Sequence, residues 1–208
     1  MLIILIIGCY LLGAISGSVV LGKIKRIDIR KQGSGNAGAT NALRTVGPVF
    51  ALGVMIIDVM KSFIPIIIMA NNLNEYNLSE THLVLCGLAA VLGHVYPIFH
   101  QFKGGKGAGT LVGVILAIFP QSFIYMLLLW IFILILTGYV GLSTMIAGVG
   151  LIVVTYFCYP NGILSPFGYF TIGVALFLIF THRSNIKRML NGEENRFEKI
   201  MLLKKIFK

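Results

Sequence analysis

Charge is scarce in this chain. Asp, Glu, Lys and Arg make up 12% of its 208 residues, too few to cover a water-soluble globule of that length. Cysteine is nearly absent: Cys9, Cys86 and Cys158 lie in apolar blocks with no CxxC and no Cys/His pair at metal spacing, which excludes a secreted disulfide scaffold and a zinc module. All three read as small side chains of membrane helices. Nowhere do His, Asp, Glu or Cys have the spacing of a metal site, so no metal is expected. What the chain has instead is 57% AVILMFWYC and a further 24 glycines, a composition that also excludes intrinsic disorder. The formal charge of +10 would suit a nucleic-acid-binding domain, but on so apolar a chain it points to membrane topology, and no nucleic acid is expected as a partner.

The expected fold class is an all-α integral membrane protein. Apolar blocks and their breakers give about seven transmembrane helices, near 1–22, 46–70, 82–100, 108–120, 122–140, 142–158 and 166–181. In the first block basic residues follow the apolar run instead of preceding it, so it reads as a retained span, not a signal peptide. Six Lys/Arg occupy 23–45, two occupy 101–107 and eight occupy 182–208; none lies in 71–81 or 159–165, and Lys61 sits inside a span. The positive-inside rule then puts the N-terminus outside and the C-terminus in the cytoplasm, with an odd number of crossings. Block 108–120 is the weakest, reaching only about 20 Å. Without it a second span must go too, leaving five, and periodicity does not decide. Residues 1–194 are expected to form a single multi-pass membrane domain. Residues 195–208 are expected to form a basic amphipathic cytoplasmic tail, with Ile200, Leu202, Leu203, Ile206 and Phe207 among lysines on an interfacial helix.

Segments 33–44, 101–110 and 182–194 then all face the cytoplasm, as does the turn near 138–144. The first, GSGNAGATNALR from Gly33 to Arg44, contains G-x-G-x-x-G, but no buried strand precedes it and no acidic residue follows on a second strand, so it is not a dinucleotide site. Ala39 stands where a Walker lysine would be. What remains suits a phosphate: glycines that permit close backbone approach, donors on Ser34, Asn36, Thr40 and Asn41, the Gly38 backbone, and the bidentate cation Arg44. The bland alternative is a flexible polar linker. The second segment, Phe102 to Thr110, carries Lys103, Gly104, Gly105, Lys106 and Gly107 at the expected start of a span, where free N–H groups and two lysines favour an anion; the alternative is a small-residue turn with lysines at lipid headgroups. The third begins His182, Arg183, Ser184, Asn185 and runs to Glu194. On a helix His182 and Asn185 share a face, suited to orienting or deprotonating a hydroxyl, although such a cluster also serves as a lipid-facing anchor. Asp58 and Lys61, three apart inside span two, are expected to pair or face the interior as structural support, and His94 and His100, which flank Pro97, to make structural hydrogen bonds beside one cavity. The outside loop 71–81 offers no chemistry, and its Asn77-Leu78-Ser79 sequon reads as chance.

Taken together, GSGNAGATNALR, the Gly93-His94-x-x-Pro97 run, FKGGKG at 102–107 and HRSNIKRMLNGEE at 182–194 resemble the bacterial acyl-phosphate-dependent glycerol-3-phosphate acyltransferases, from about residue 8 to 194. The resemblance implies transfer of a fatty acyl group from acyl phosphate to the 1-hydroxyl of sn-glycerol-3-phosphate, giving lysophosphatidic acid and phosphate at the bacterial inner membrane, with no cofactor. It implies functional roles for Ser34, Arg44, Lys103 to Gly107, His182 and Asn185, a structural one for Glu194, and as partners the bilayer, the acyl-phosphate-producing enzyme and the second acyltransferase of the pathway. The chain departs from the family pattern in three places: Ser62 for glycine, Ala108-Gly109-Thr110 for Val-Ala-Thr, and Gly141 for serine. The last removes a hydroxyl, so a role for that turn falls to Ser143 or Thr144, or is absent.

Two phosphorylated substrates repel one another, and Arg44, Lys103, Lys106 and Arg183 with the two amide-rich loops are the expected compensation. In this scheme FKGGKG holds one phosphate and Arg44 with Asn185 the other, and the two phosphates can be exchanged. Ser34 and His182 position the attacking hydroxyl or the developing oxyanion. The base is His182 or the oxygens of the acyl phosphate, and no covalent acyl-enzyme is needed. The alternative from another class is a transporter of a phosphorylated anion, against which stand the absence of an internal repeat and the placement of these groups away from the bilayer midplane.

Overall fold

The computed structural model describes residues 1–201; residues 202–208, which hold Leu202, Leu203, Ile206 and Phe207 of the expected tail helix, lie outside the described residues. Among the described residues every regular element is helical, and they fall into two compact units, one Met1–Ile118 and the other beginning at Phe119.

The first unit holds α1 (Leu2–Gly13), α2 (Gly17–Lys25), α3 (Ala39–Thr45), α4 (Pro48–Asn71), α5 (Glu80–Val95) and α6 (Ala108–Ile118). Helix α4 starts with Pro48 in its first turn, where the missing N–H costs nothing; α5 starts with a capping box between Ser79 and His82. Small residues let the helices touch backbone to backbone. A methyl group added to Gly13 on α1 would meet the Ala90 backbone of α5, and one on Gly93 would meet the Tyr10 carbonyl. Cys9 and Cys86 are buried in the same packed cluster, as small side chains of helices, whereas Cys158 is exposed. Likewise Gly113 of α6 lies on the Val59 carbonyl and Ser62 of α4, and Ser62 Oγ donates to the Thr110 carbonyl at 2.7 Å. Ser62 therefore ties α4 to α6.

The expected first span is broken. Helices α1 and α2 meet at a 40° bend, and Ser16 is extended between them. The backbone groups freed there find partners on α4: the Ile15 carbonyl accepts from Lys61 Nζ at 2.7 Å, and Gly17 N–H donates to Asp58 Oδ1 at 3.3 Å.

The second unit holds α7 (Pro120–Thr137), α8 (Val140–Cys158), α9 (Pro166–Thr181) and α10 (Arg183–Leu190). Gly138 closes α7 in the left-handed conformation, φ 73°, and α8 follows within two residues. Ser165 caps α9 by accepting from Gly168 N–H at 2.9 Å, with Pro166 next to it. Phe119, Tyr159, Phe167 and Phe170 pack ring against ring at the far end of α8 and α9. After α10 the chain returns to the α7–α8 turn: Phe197 N–H donates to the Gly138 carbonyl at 2.9 Å and the Arg196 guanidinium lies 4.6 Å from the Tyr139 ring centre. The described start of the tail, Glu198–Ile200, is thus a 3-10 turn.

Among the described residues, four helices are by length and composition sufficient to cross a membrane, α4, α5 with the turn up to His100, α7 and α8, or up to six spans if the bent pairs α1–α2 and α9–α10 each count as one. The block expected at 108–120 is the 11-residue α6, about 16 Å long by its rise per residue and so shorter by itself than the roughly 30 Å hydrocarbon core of a bilayer.

Candidate active site

In the first unit, the segment between α2 and α4 is built around one side chain. Asn41 on α3 is 1% exposed. Its Nδ2 lies 3.0 Å from the carbonyls of Ile29, Gln32 and Asn36, and its Oδ1 accepts from Ser34 N–H at 3.0 Å. Two of the glycines answer to this fold: Gly33 (φ 57°) and Gly35 (φ 72°) are left-handed, and a methyl on Gly33 would collide with Asn41 Oδ1. Asn41, expected among the phosphate ligands, has its amide turned into the loop, because its hydrogen-bonding capacity is filled there. The result presents Ser34 and Arg44 at the exposed surface, with Asn36, Gly38 and Thr40 half-buried. Asp28 begins the loop by capping the turn Ile29–Lys31 and gripping Arg30 through both carboxylate oxygens at 2.9 Å. That hydrogen bond holds the Asp28 carboxyl below the usual carboxylate range.

The second segment folds back onto the end of α5. Gln101 and Phe102 are both left-handed, φ 54° and 58°, and reverse the chain. Gly104 N–H then donates to the Val95 carbonyl and Gly105 N–H to the His94 carbonyl, each at 3.1 Å. The expectation that these amides form an anion cradle is corrected here: two of them satisfy α5. Lys103 is exposed and Lys106 half-buried on either side of the two glycines, and α6 begins after Gly107 with the positive character of a helix N-terminus.

Beneath this loop lies a buried polar triad. Lys61 Nζ is 3.0 Å from Asp58 Oδ1 and 2.8 Å from His94 Nδ1, and it also donates to the Ile15 carbonyl at the α1–α2 break. Three acceptors match the three hydrogens of an ammonium group. Asp58 is 3.5 Å from His94 Nδ1, farther than Lys61, so Nδ1 accepts from the ammonium and Nε2 carries the imidazole proton. The expected Asp58–Lys61 pair and the structural hydrogen bond of His94 are both present. His100 is not part of the triad; it lies on the turn Ile98–His100.

In the second unit, His182 sits where α9 bends by 51° into α10, not within one continuous helix. It is 5% exposed, and its Nδ1 is 2.8 Å from the Leu178 carbonyl. A carbonyl only accepts, so Nδ1 carries the proton and Nε2 is the basic nitrogen. Asn185 follows in the first turn of α10, its Nδ2 donating to Glu194 Oε1 at 3.0 Å while Arg188 Nε donates to Glu194 Oε2 at 2.7 Å. Glu194 thereby fixes which way the amide points. Gly141 packs against this amide: a methyl there would come within 3.0 Å of Asn185 Nδ2. The hydroxyls considered in place of a serine at 141 are committed to their own helix, Ser143 Oγ to the Tyr139 carbonyl and Thr144 Oγ1 to the Val140 carbonyl, both at 2.9 Å. Arg183, expected among the phosphate ligands, donates to the Phe180 carbonyl at 3.1 Å and lies over the Phe180 ring at 4.5 Å. Sequence reasoning missed Arg188 and the Asp28–Arg30 clasp. The signal for the first was the Asn191-Gly192 turn that brings Glu194 back onto α10.

The sequence profile of the family described as glycerol-3-phosphate acyltransferase matches residues 3–192. A glycerol-3-phosphate acyltransferase of Bacillus subtilis is 41% identical over 192 residues, 92% of this chain and 95% of that protein, and one of Aquifex aeolicus is 38% identical over 194 residues, 93% and 97%. Two crystal structures of PlsY, an integral membrane glycerol 3-phosphate acyltransferase, superpose closely. The glycerol 3-phosphate form has a TM-score of 0.85 at 36% identity, covering 100% of this chain and 99% of that one; the lysophosphatidic acid form has 0.83 at 36%, covering 94% and 95%. With matches that run nearly end to end in sequence and in fold, this chain belongs to the glycerol-3-phosphate acyltransferase family.

Proposed function

We propose that this protein transfers a fatty acyl group from acyl phosphate to the 1-hydroxyl of sn-glycerol-3-phosphate, giving 1-acyl-glycerol-3-phosphate and inorganic phosphate as the first acylation of phospholipid synthesis. The observation that carries this reading is end-to-end likeness to an integral membrane enzyme whose solved forms are named for glycerol 3-phosphate and lysophosphatidic acid. The three basic segments support an inner-membrane topology with the working loops in the cytoplasm.

In the reaction the hydroxyl oxygen attacks the acyl carbonyl carbon, the bond from that carbon to the phosphate oxygen breaks, and phosphate leaves with its electron pair. The hydroxyl proton goes to His182 Nε2, whose tautomer the Leu178 carbonyl sets. Asn185, aimed by Glu194, offers its Oδ1 to the acceptor hydroxyl. Lys103 and Lys106 hold one phosphate and Arg44 the other, and Ser34 donates to the oxyanion that develops on the acyl oxygen. Asn36, Gly38 and Thr40 line the Arg44 loop, and Asn41 keeps it folded.

Asn41→Ala is accordingly expected to leave three carbonyls and one N–H without their partner. The KM of one phosphate substrate should rise by about tenfold while kcat changes by less than about threefold, the pattern of a disordered binding loop. Steady-state kinetics with each substrate varied in turn checks this, and unchanged KM values would remove Asn41 from its place.

The reaction itself is tested with purified protein in detergent or lipid, using palmitoyl phosphate and glycerol-3-phosphate without added metal, and palmitoyl-CoA as the competing donor. Lysophosphatidic acid and phosphate are expected in equal amounts from acyl phosphate alone. Turnover with the thioester and none with the acyl phosphate would overturn the donor assignment. Absence of turnover with either, together with glycerol-3-phosphate flux across vesicles, would favour a transporter.

A further inference from the structure

The 103–107 loop contains three glycines, but only Gly107 (φ 92°) needs to be one for its backbone conformation. Gly104 and Gly105 avoid the left-handed region, so their requirement for a bare Cα has another cause. A methyl on Gly104 would meet the His94 carbonyl, the Val95 carbonyl and the Pro97 ring, all on α5 or just after it. A methyl on Gly105 would collide with His94 Nε2, and the next nearest atoms are His94 Cε1 and Cδ2. Gly109, in the first turn of α6, would bring a methyl to 3.3 Å of the Asp58 Cβ. The loop and the helix start that follows it therefore rest directly on two members of the triad. The third member, Lys61, fixes the imidazole through Nδ1 and also reaches the Ile15 carbonyl at the α1–α2 break, while Gly17 N–H at the same break donates to Asp58.

We propose that Asp58, Lys61 and His94 form a positioning network that sets the height of the 103–107 loop for phosphate binding, and that Gly105 is glycine because the His94 imidazole lies against it. The glycine would then answer to a protein side chain and not to the approach of a substrate phosphate. The inference rests on the reading of this loop as a phosphate site, and it assigns to the triad a part in the reaction that a merely stabilising ion pair would not have. Lys61 holds the ring at one fixed rotation, the ring holds the Gly105 backbone at contact distance, and Lys103 and Lys106 on either side of that contact inherit their placement. A charge-neutral arrangement suits this purpose, since the carboxylate and ammonium cancel and add no net charge beneath Lys103 and Lys106.

Removing the ring should therefore make room for a methyl group at position 105. The test compares Gly105→Ala, His94→Ala and the double variant, with Gly104→Ala alone and combined with His94→Ala as the control. Two readouts are used: equilibrium binding of radiolabelled glycerol-3-phosphate and of inorganic phosphate to the purified protein, and steady-state KM and kcat for both substrates. Melting temperature reports whether each variant is folded. Gly105→Ala is expected to weaken phosphate binding, and to raise the KM of one substrate, by more than about 30-fold with kcat within about threefold. His94→Ala alone should cost about three- to tenfold, and the double variant should match His94→Ala instead of showing the product of the two losses. Gly104→Ala meets backbone carbonyls that the substitution leaves in place, so His94→Ala should not rescue it. Should His94→Ala fail to fold, His94→Asn replaces it, being shorter and still offering Lys61 an acceptor.

Multiplicative losses in the double variant would overturn the inference and return Gly105 to the substrate, and so would a Gly105→Ala protein that binds phosphate normally. The direct binding assay keeps this outcome separate from the proposed reaction: phosphate binding lost in Gly105→Ala and restored in the double variant would support the network even in a protein without acyl transfer. Turnover with acyl phosphate whose KM is untouched by Gly105→Ala would retain the reaction and dismiss the network.

Discussion

Asp58→Asn is expected to destabilise the protein by about 3–5 kcal/mol, the cost of leaving a buried charge without its partner. Asp58 is 3% exposed and Lys61 8%, so neither side chain can turn to water when the other is neutralised. The amide still offers Gly17 N–H an acceptor, so the loss isolates charge from hydrogen bonding at the α1–α2 break. Lys61 would keep the Ile15 carbonyl and His94 Nδ1 but no counter-charge. Lys61→Met should cost a similar amount for the mirror-image reason, with the Asp58 carboxylate left beside an imidazole at 3.5 Å and the Ile15 carbonyl without a donor. Combining Asp58→Asn with Lys61→Met should be less damaging than the sum of the two, because no unpaired charge then remains. Thermal melting and denaturant titration in one detergent would measure all three. A melting point of Asp58→Asn equal to that of the unaltered protein would mean that water or lipid headgroups already compensate the pair.

Whether a feature was legible in the sequence depended on how local its cause is. Helices α4, α7 and α9 announce themselves through apolar runs opened by Pro48, Pro120 and Ser165-Pro166, and α7 through its closing Gly138. The break between α1 and α2 was not legible: Ala14-Ile15-Ser16-Gly17-Ser18 contains neither proline nor charge. Its freed backbone groups are satisfied from positions 46 and 41 residues away, by Lys61 and Asp58. Helix α3 was missed because Gly38-Ala39-Thr40-Asn41 reads as loop by propensity, and what holds it is the tertiary clamp of Asn41. The same division runs through the candidate site. The Asp58–Lys61 pair follows from spacing on one helix, whereas His94 joins them across 33 residues, and only coordinates place its ring beneath Gly105. Residue type alone named Asn41 and Arg183 among phosphate ligands, and only coordinates show the Asn41 amide turned into its loop and the Arg183 guanidinium against the Phe180 ring.

The other large effect is expected at His182. His182→Asn keeps a side-chain N–H in position to serve the Leu178 carbonyl and removes the nitrogen at Nε2, so it separates the ring's anchoring from its chemistry. If Nε2 takes the hydroxyl proton, kcat should fall by about 10²- to 10⁴-fold, the usual yield of a positioned general base, with both KM values and the melting temperature little changed. The pH–rate profile carries the second half of the prediction. Protonating the base at low pH gives the unaltered enzyme an acidic limb, and this limb should vanish in His182→Asn, whose residual rate has no imidazole to protonate. An acidic limb that persists with a loss of less than about tenfold would instead assign the proton to the oxygens of the acyl phosphate. Asn185→Ala supplies the contrast, since its amide is held by Glu194 to orient and not to exchange protons. It should lower kcat while leaving the acidic limb in place. A pair of neighbouring residues that differ in this one respect, limb lost at 182 and kept at 185, would separate the base from the group that aims the hydroxyl at it.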